Sequence, residues 1–365
     1  MNSNPYIGGG DQRERRGEAP CGRRASVRRP HLWTVYVVSA MALVLACLVA
    51  LGSGAVPVSW RDIVAVLAGR EHGTTMRLIV MQLRLPRVCS AALVGAGLAL
   101  SGAVLQTLLR NPLAEPFTLG VSGGAGFLVT ALAAFVPAAF ALPYAAPLAG
   151  FLGAALAGGL VFALAHRQHF SNAALILCGV ILSFFFGSLI MLNFAFGRPA
   201  ALQSVMVWLM GDFSVVTPST VLVTGLGLIA PLVLVFASAQ TLDVLAIGDE
   251  RALGLGVPVR AARRRLFAAA ALMTGLCVAN AGIIGFVGFL VPHLVRFLVG
   301  ARHRYVLPLA ALLGAAFLVI ADTLARVLFS PLELPVGAFT GITGALFFLA
   351  YYLRRPRGEW EAEAL

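Results

Sequence analysis

Asp249, Glu250 and Arg251 stand in a row in a chain that otherwise runs for long stretches without charge. Acidic residues suit the start of a helix, where the backbone dipole presents partial positive charge. Gly254 is a natural left-handed residue for a helix end. The stretch "GDERALGLGV" therefore predicts a helix of about five residues closed by Gly254, with Leu253 on its last turn. So short a helix is unstable by itself and needs a surface to lie on. Two further positions carry chemistry inside apolar runs. Asp322 and Arg326 are four apart, the spacing of an ion pair on one helix face. An ionisable pair there serves either a functional site or a brace for the end of its helix. His293 follows Pro292 in another apolar run, where a packed or hydrogen-bonded histidine outweighs a ligand.

Other chemistries are excluded by what is missing. All 27 basic residues are arginine. A Walker A loop needs a lysine to hold the β- and γ-phosphates of ATP, so this chain is not a P-loop ATPase. Cys21, Cys47, Cys89, Cys178 and Cys277 are scattered and form no CxxC pair, which points to packing and away from zinc or redox work. There is no HExxH and no Ser/His or paired-Asp signature. The expectation is a protein with no metal, no cofactor and no covalent chemistry of its own. The net charge of +12 reads as topological arginine beside membrane spans, with a lipid bilayer and not a nucleic acid as the partner.

The elements that position these residues are membrane helices. The chain is 59% hydrophobic and 12% charged, against roughly a quarter charged in soluble domains. Its mean hydropathy is +0.91. Uncharged runs of close to 20 residues match a hydrocarbon core of about 30 Å. The fold class is an all-α membrane protein with about ten transmembrane helices, at about 33–52, 88–109, 118–141, 144–165, 173–195, 217–238, 265–281, 283–300, 305–329 and 336–353. The segments near 120 and 285 are glycine-rich, which predicts broken or short helices, and the short apolar stretch 201–215 reads as interfacial. With both termini inside, 20 of the 27 arginines fall on the inner side, as the positive-inside rule requires. Residues 246–257 are then cytoplasmic. Spans 2–5 and 7–10 have opposite orientations, as inverted-repeat-like halves would. The division is an arginine-rich, disordered arm at 1–30, a transmembrane domain at 31–355 and a cytoplasmic tail at 356–365.

Four stretches carry a family signature: "RLPR" from Arg84 to Arg87, "RNPLAEPFTLGVSGGAGF" at 110–127, "GFVGFLVPHLVR" at 285–296, and "ELPVGAFTGITGALFF" at 333–348. With "GDERALGLGV", and in this order, they resemble the permease family of bacterial ABC importers for iron–siderophore complexes, haem and vitamin B12. The resemblance covers about residues 33 to 355. One departure is Leu346, where the family usually has proline.

The resemblance implies a homodimer in the bacterial cytoplasmic (inner) membrane, seated on two cytoplasmic ATPase subunits and loaded by an extracytoplasmic substrate-binding protein. It implies ATPase coupling through Asp249, Glu250, Arg251, Leu253 and Gly254. It implies docking of the binding protein at Arg84 and Arg87, placed just outside span 2, and at Arg326. It implies a pathway lined by Ser183, Gly187, Phe339 and Thr343, narrowed at its inner mouth near Ser171 and Asn172, two residues that equally suit a helix N-cap. Asn111, Pro112, Pro116, Gly120 and Pro292 have structural roles, the prolines breaking or kinking helices. The cargo expected from family frequency is an iron(III)–siderophore complex, with haem and vitamin B12 as alternatives. The rival from another class is an ion-coupled secondary transporter, which needs ionisable groups near the midplane; only Asp322 is a candidate.

Overall fold

In lipid no water satisfies the backbone, so apolar segments of this length must close their hydrogen bonds within helices. A computed structural model describes residues 32–54, 58–70, 74–142, 144–168, 171–197, 199–330 and 332–354, and among them every regular element is helical. The arm at 1–30 and the tail at 356–365 lie outside the described residues. In chain order the helices are α1 (Leu32–Gly52), α2 (Trp60–Leu67), α3 (Thr74–Leu78), α4 (Leu85–Leu109), α5 (Val121–Phe135), α6 (Pro137–Phe140), α7 (Ala145–Arg167) and α8 (Asn172–Phe196). They continue with α9 (Pro199–Leu209), α10 (Pro218–Ala237), α11 (Ala239–Ala246), α12 (Asp249–Gly254), α13 (Val259–Ala281), α14 (Val287–Val299), α15 (His303–Val327) and α16 (Val336–Arg354).

Among the described residues, six helices are long and apolar enough to cross a membrane: α1, the joined α3–α4, α7, α8, α10 and α15. The shorter apolar helices α5, α14 and α16, with α13, occupy the other positions expected from sequence. The glycine-rich segments behave as their composition predicts. At 15 and 13 residues, α5 and α14 reach only about 22 and 20 Å. Each opens on a left-handed residue, Gly120 at φ 72° and Phe286 at φ 68°. They hold corresponding places in the two halves, which supports the inverted-repeat reading. α16 runs unbroken through Leu346.

Span 2 departs from expectation. Its helix begins well before residue 88, because α3 passes through a π-helical turn at Ile79–Arg84 directly into α4. The wide turn precedes Pro86, which has no N–H to give and would break a regular ladder. "RLPR" therefore lies within a continuous helix and not outside it. Segment 201–215 forms α9 and then a turn tied to its neighbours. Gly337 N donates to Met210 O (3.0 Å), Val336 N to Gly211 O (3.1 Å) and Asp212 N to Ala281 O (2.9 Å).

α4 is the axis of the bundle and is buried along nearly all of its length. Helix association in lipid depends on close packing of small residues, and α4 meets two neighbours glycine to glycine. A Cβ on Gly102 would collide with the Gly288 backbone at α14, and one on Gly95 with Gly314 on α15. A Cβ on Gly159 meets nothing within 4 Å. Gly102→Ala should lower stability by about 1–3 kcal/mol through overpacking, read as a lower Tm in detergent. Gly159→Ala should leave Tm unchanged or raise it, since helix interiors favour alanine.

Candidate functional site

The charged and polar residues gather at the two ends of the bundle. At the end where α1 finishes, a network of three arginines and two carboxylates joins α1, α4 and α15. Arg87 gives Nε (3.0 and 3.1 Å) and Nη2 (2.9 Å) to Asp322 of α15, a bidentate pair, and Nη1 to Glu333 at 2.9 Å. Such guanidinium–carboxylate forks are the strong kind of charged hydrogen bond. The Asp322 side chain is 3% exposed, whereas that of Glu333 is 45% exposed. Arg84 donates to Leu51 O (2.7 Å) and Gly52 O (3.2 Å), and Arg326 to Ala50 O (3.0 Å). These are the last carbonyls of α1, unpaired by the helix itself and carrying its negative dipole end. Two buried cations thus cap one helix.

The local spacing of Asp322 and Arg326 proved misleading. Asp322 spends its carboxylate on Arg87, and Arg326 turns to α1. Arg84 and Arg326 are buried and Arg87 is half-buried, and each of these expected docking arginines bonds within its own chain. Glu333, not singled out from sequence, is the exposed member of the network.

At the opposite end, α10 leads through α11 to α12. Asp249 and Glu250 open α12 and Ala252 is buried beneath it. Glu250 and Arg251 are exposed, as are Ile247, Leu253 and Leu255. Gly254 is the last helical residue and does not have positive φ, which corrects the expected cap. Gly256 takes that place at φ 80°. Val257 N donates to Ala252 O (3.0 Å) and Gly256 N to Leu253 O (2.9 Å), the paired bonds of a Schellman ending with Gly256 as its left-handed residue. In "GLG" either glycine could serve; the hydrogen bonds select the second.

Asp249 is paired inward with Arg110 and with Arg263, two partners that sequence spacing did not reveal. Near them, His303 Nδ1 lies 2.7 Å from Asp243 of α11 and Nε2 lies 2.7 Å from Thr107 Oγ1 of α4. This line resembles a nucleophile–histidine–acid relay. His303 and Thr107 are buried, so it ties α11, α15 and α4 together.

The pathway candidates lie on α8 and α16, with Ser171 and Asn172 at the α12 end. Ser171 is the N-cap of α8, its Oγ accepting from Ala174 N at 3.3 Å. Asn172 Nδ2 donates to Leu109 O of α4 at 3.2 Å. Ser183 and Thr343 donate to the carbonyls one turn back, Gly179 O and Phe339 O, each at 2.8 Å. Both are half-buried, as are Gly187 and Phe339, and a Cβ on Gly187 meets nothing within 4 Å. α8 packs on α5 and α7, whereas α16 packs on α14 and α15.

Among the structural residues, Asn111 Oδ1 accepts from Leu113 N (2.9 Å). Pro112 follows Asn111 in the turn after α4, and Pro116 opens a 3-10 turn at Pro116–Leu119. Gly120 lies close to Leu182 and Ser183 of α8. Pro292 is buried inside α14. Glu115, between the two prolines, caps α14 by accepting from Phe286 N. Burial pushes its carboxyl up to about 7, against the lowering effect of that hydrogen bond. Among the described residues no group of three or more His, Cys, Asp or Glu is placed to hold a metal.

The FecCD transport family pattern matches residues 42–355. The hemin transport system permease protein HmuU of Yersinia pestis is 38% identical over 319 residues, 86% of this chain and 94% of that protein. The vitamin B12 import system permease protein BtuC of Vibrio vulnificus is 42% identical over 281 residues, 76% of this chain and 83% of that protein. A solved metal-chelate type ABC transporter in an inward-facing conformation superposes with a TM-score of 0.79 at 30% identity, covering 89% of this chain and all of that one. Matched by the family pattern over most of its length, and by relatives and a solved transporter along most of theirs, this chain belongs to the FecCD transport family and is a multi-pass inner-membrane permease subunit of an ABC importer.

Proposed function

We propose that this chain carries an iron(III)–siderophore complex across the membrane as one half of a homodimer, with both termini inside. The observation that supports coupling to a separate ATPase is α12. It holds exposed Leu253 between Glu250, Arg251 and Leu255 at the end of the bundle assigned to the cytoplasm. Such a face suits the cleft of a separate ATPase, which a chain without lysine must borrow. α8 and α16 pack on different neighbours, and a second copy would bring them together around the path lined by Ser183, Gly187, Phe339 and Thr343. Asp322, the carboxylate singled out for an ion-coupled mechanism, is already paired with Arg87. The cargo is tested by uptake of radiolabelled iron(III)–siderophore, haem and cobalamin into a strain lacking this gene and into the complemented strain. Restored uptake of the siderophore complex supports the assignment, and restored uptake of haem or cobalamin alone replaces it.

The outer network is the proposed docking face for the substrate-binding protein. Its three arginines exceed its two carboxylates, and Glu333 covers the outward nitrogen of Arg87. Reversing Arg84 would set a carboxylate against the α1 carbonyls, so the informative change is at Glu333. Glu333→Gln should speed docking several-fold at low salt, since rim charges act mainly on association. The gain should shrink at high salt. Equal rates for both proteins at low salt would remove Arg87 from the docking face.

A further inference from the structure

The carboxylate of Asp249, whose side chain is 41% exposed, bonds back onto its own chain, and the Arg110 side chain it meets is 35% exposed. Its Oδ1 receives Nη2 of Arg110 and, at 2.9 Å, Nη2 of Arg263. Arg263 belongs to α13 and its side chain is 5% exposed. Arg110 is the C-cap of α4 and also reaches Leu245 O of α11 with Nε at 3.4 Å. One oxygen therefore joins the first residue of α12 to α4 and α13.

The backbone at Arg110 adds an independent observation. Arg110 is left-handed, at φ 47° and ψ 36°, and it closes α4 with the same paired bonds as Gly256. Asn111 N donates to Gln106 O (3.1 Å) and Arg110 N to Thr107 O (3.3 Å). Glycine is the usual occupant of such a position. A side chain there is strained, and strain of this kind clusters at functional and switch sites. The arginine that occupies it is long enough to reach Asp249. Next to it, Leu109 O accepts from Asn172 at the start of α8.

We propose that Asp249 is a positioning residue, an ionic pin that transfers displacement of α12 through Arg110 to α4 and, by way of Leu109 and Asn172, to the foot of α8. Glu250, Arg251 and Leu253 form the outward face of the same helix. The inference rests on the reading of α12 as the ATPase-facing element and divides that element into a contact surface and an anchor.

The test uses the full-length permease co-expressed with its host's ATPase subunit, with all five cysteines replaced and one cysteine introduced at Thr343. Labelling by a charged maleimide is compared with and without ATP plus vanadate. In the parent, nucleotide changes the labelling rate. Arg110→Gly relaxes the backbone at that position, so its Tm should not fall. It should retain the ATPase and basal hydrolysis, yet lose at least fivefold of the nucleotide-dependent change. Arg110→Lys should recover part of it, and Asp249→Asn should lose the change as Arg110→Gly does. A parental nucleotide response in Arg110→Gly overturns the pin. Release of the ATPase by Arg110→Gly also overturns it, by making Arg110 part of the contact surface. A separate Leu253→Asp arm should release the ATPase. Retention there refutes the reading of the outer face, whatever the Arg110 variants show.

Discussion

Arg87→Leu should destabilise the protein by about 3–5 kcal/mol, the usual effect of removing one partner from a buried ion pair. Asp322 is 3% exposed on its side chain and takes a bidentate guanidinium. Without Arg87 its carboxylate stays buried but loses the guanidinium that binds it, so it must protonate or draw in water. The double change Arg87→Leu with Asp322→Leu removes both charges and should recover most of the loss. Replacing a buried pair with apolar side chains is often neutral. Glu333→Gln should change stability by no more than about 1 kcal/mol, because its pair with Arg87 is exposed on one side. Melting of the three variants in one detergent decides it. An Arg87→Leu protein as stable as its parent, or a double variant no better than the single, would show that the pair does not brace α4 against α15.

Leu253→Asp combined with Leu255→Asp should abolish co-purification of the ATPase, with a loss of at least tenfold. Leu253 and Leu255 are 61% and 64% exposed. Burying one leucine fully stabilises an interface by roughly 1.5–3 kcal/mol, so losing two exceeds a tenfold change in affinity. The permease should still insert and melt normally, because these side chains pack on nothing in their own chain to a comparable degree. Undiminished ATPase with the double variant would assign the contact elsewhere.

How far the sequence anticipates these features depends on the range of the interaction. Apolar runs and their glycine breaks are local, so α5 and α14 are foreshadowed by "GVSGGAG" and "GIIGFVG" as short helices. The acidic start of α12 is equally local. Its exact end is not, because "LGLG" offers two glycines and the bond from Val257 to Ala252 chooses Gly256. Ion pairs fail most plainly. Asp322 has an arginine one turn away, yet a guanidinium 235 positions distant in sequence approaches it with better geometry. Arg84 and Arg87 suggest a helix boundary by charge alone. They lie inside the helix because the α1 carbonyls and Asp322 satisfy them there.

As a permease subunit of an ABC importer, this chain should move its cargo with energy from a separate ATPase. The direct measurement is uptake of radiolabelled iron(III)–siderophore into vesicles holding the permease and the host's ATPase subunit, with the binding protein outside and ATP inside. Uptake should require internal ATP, stop with vanadate and be unaffected by an ionophore that collapses ion gradients. Uptake that continues without ATP and ceases with the ionophore would contradict it.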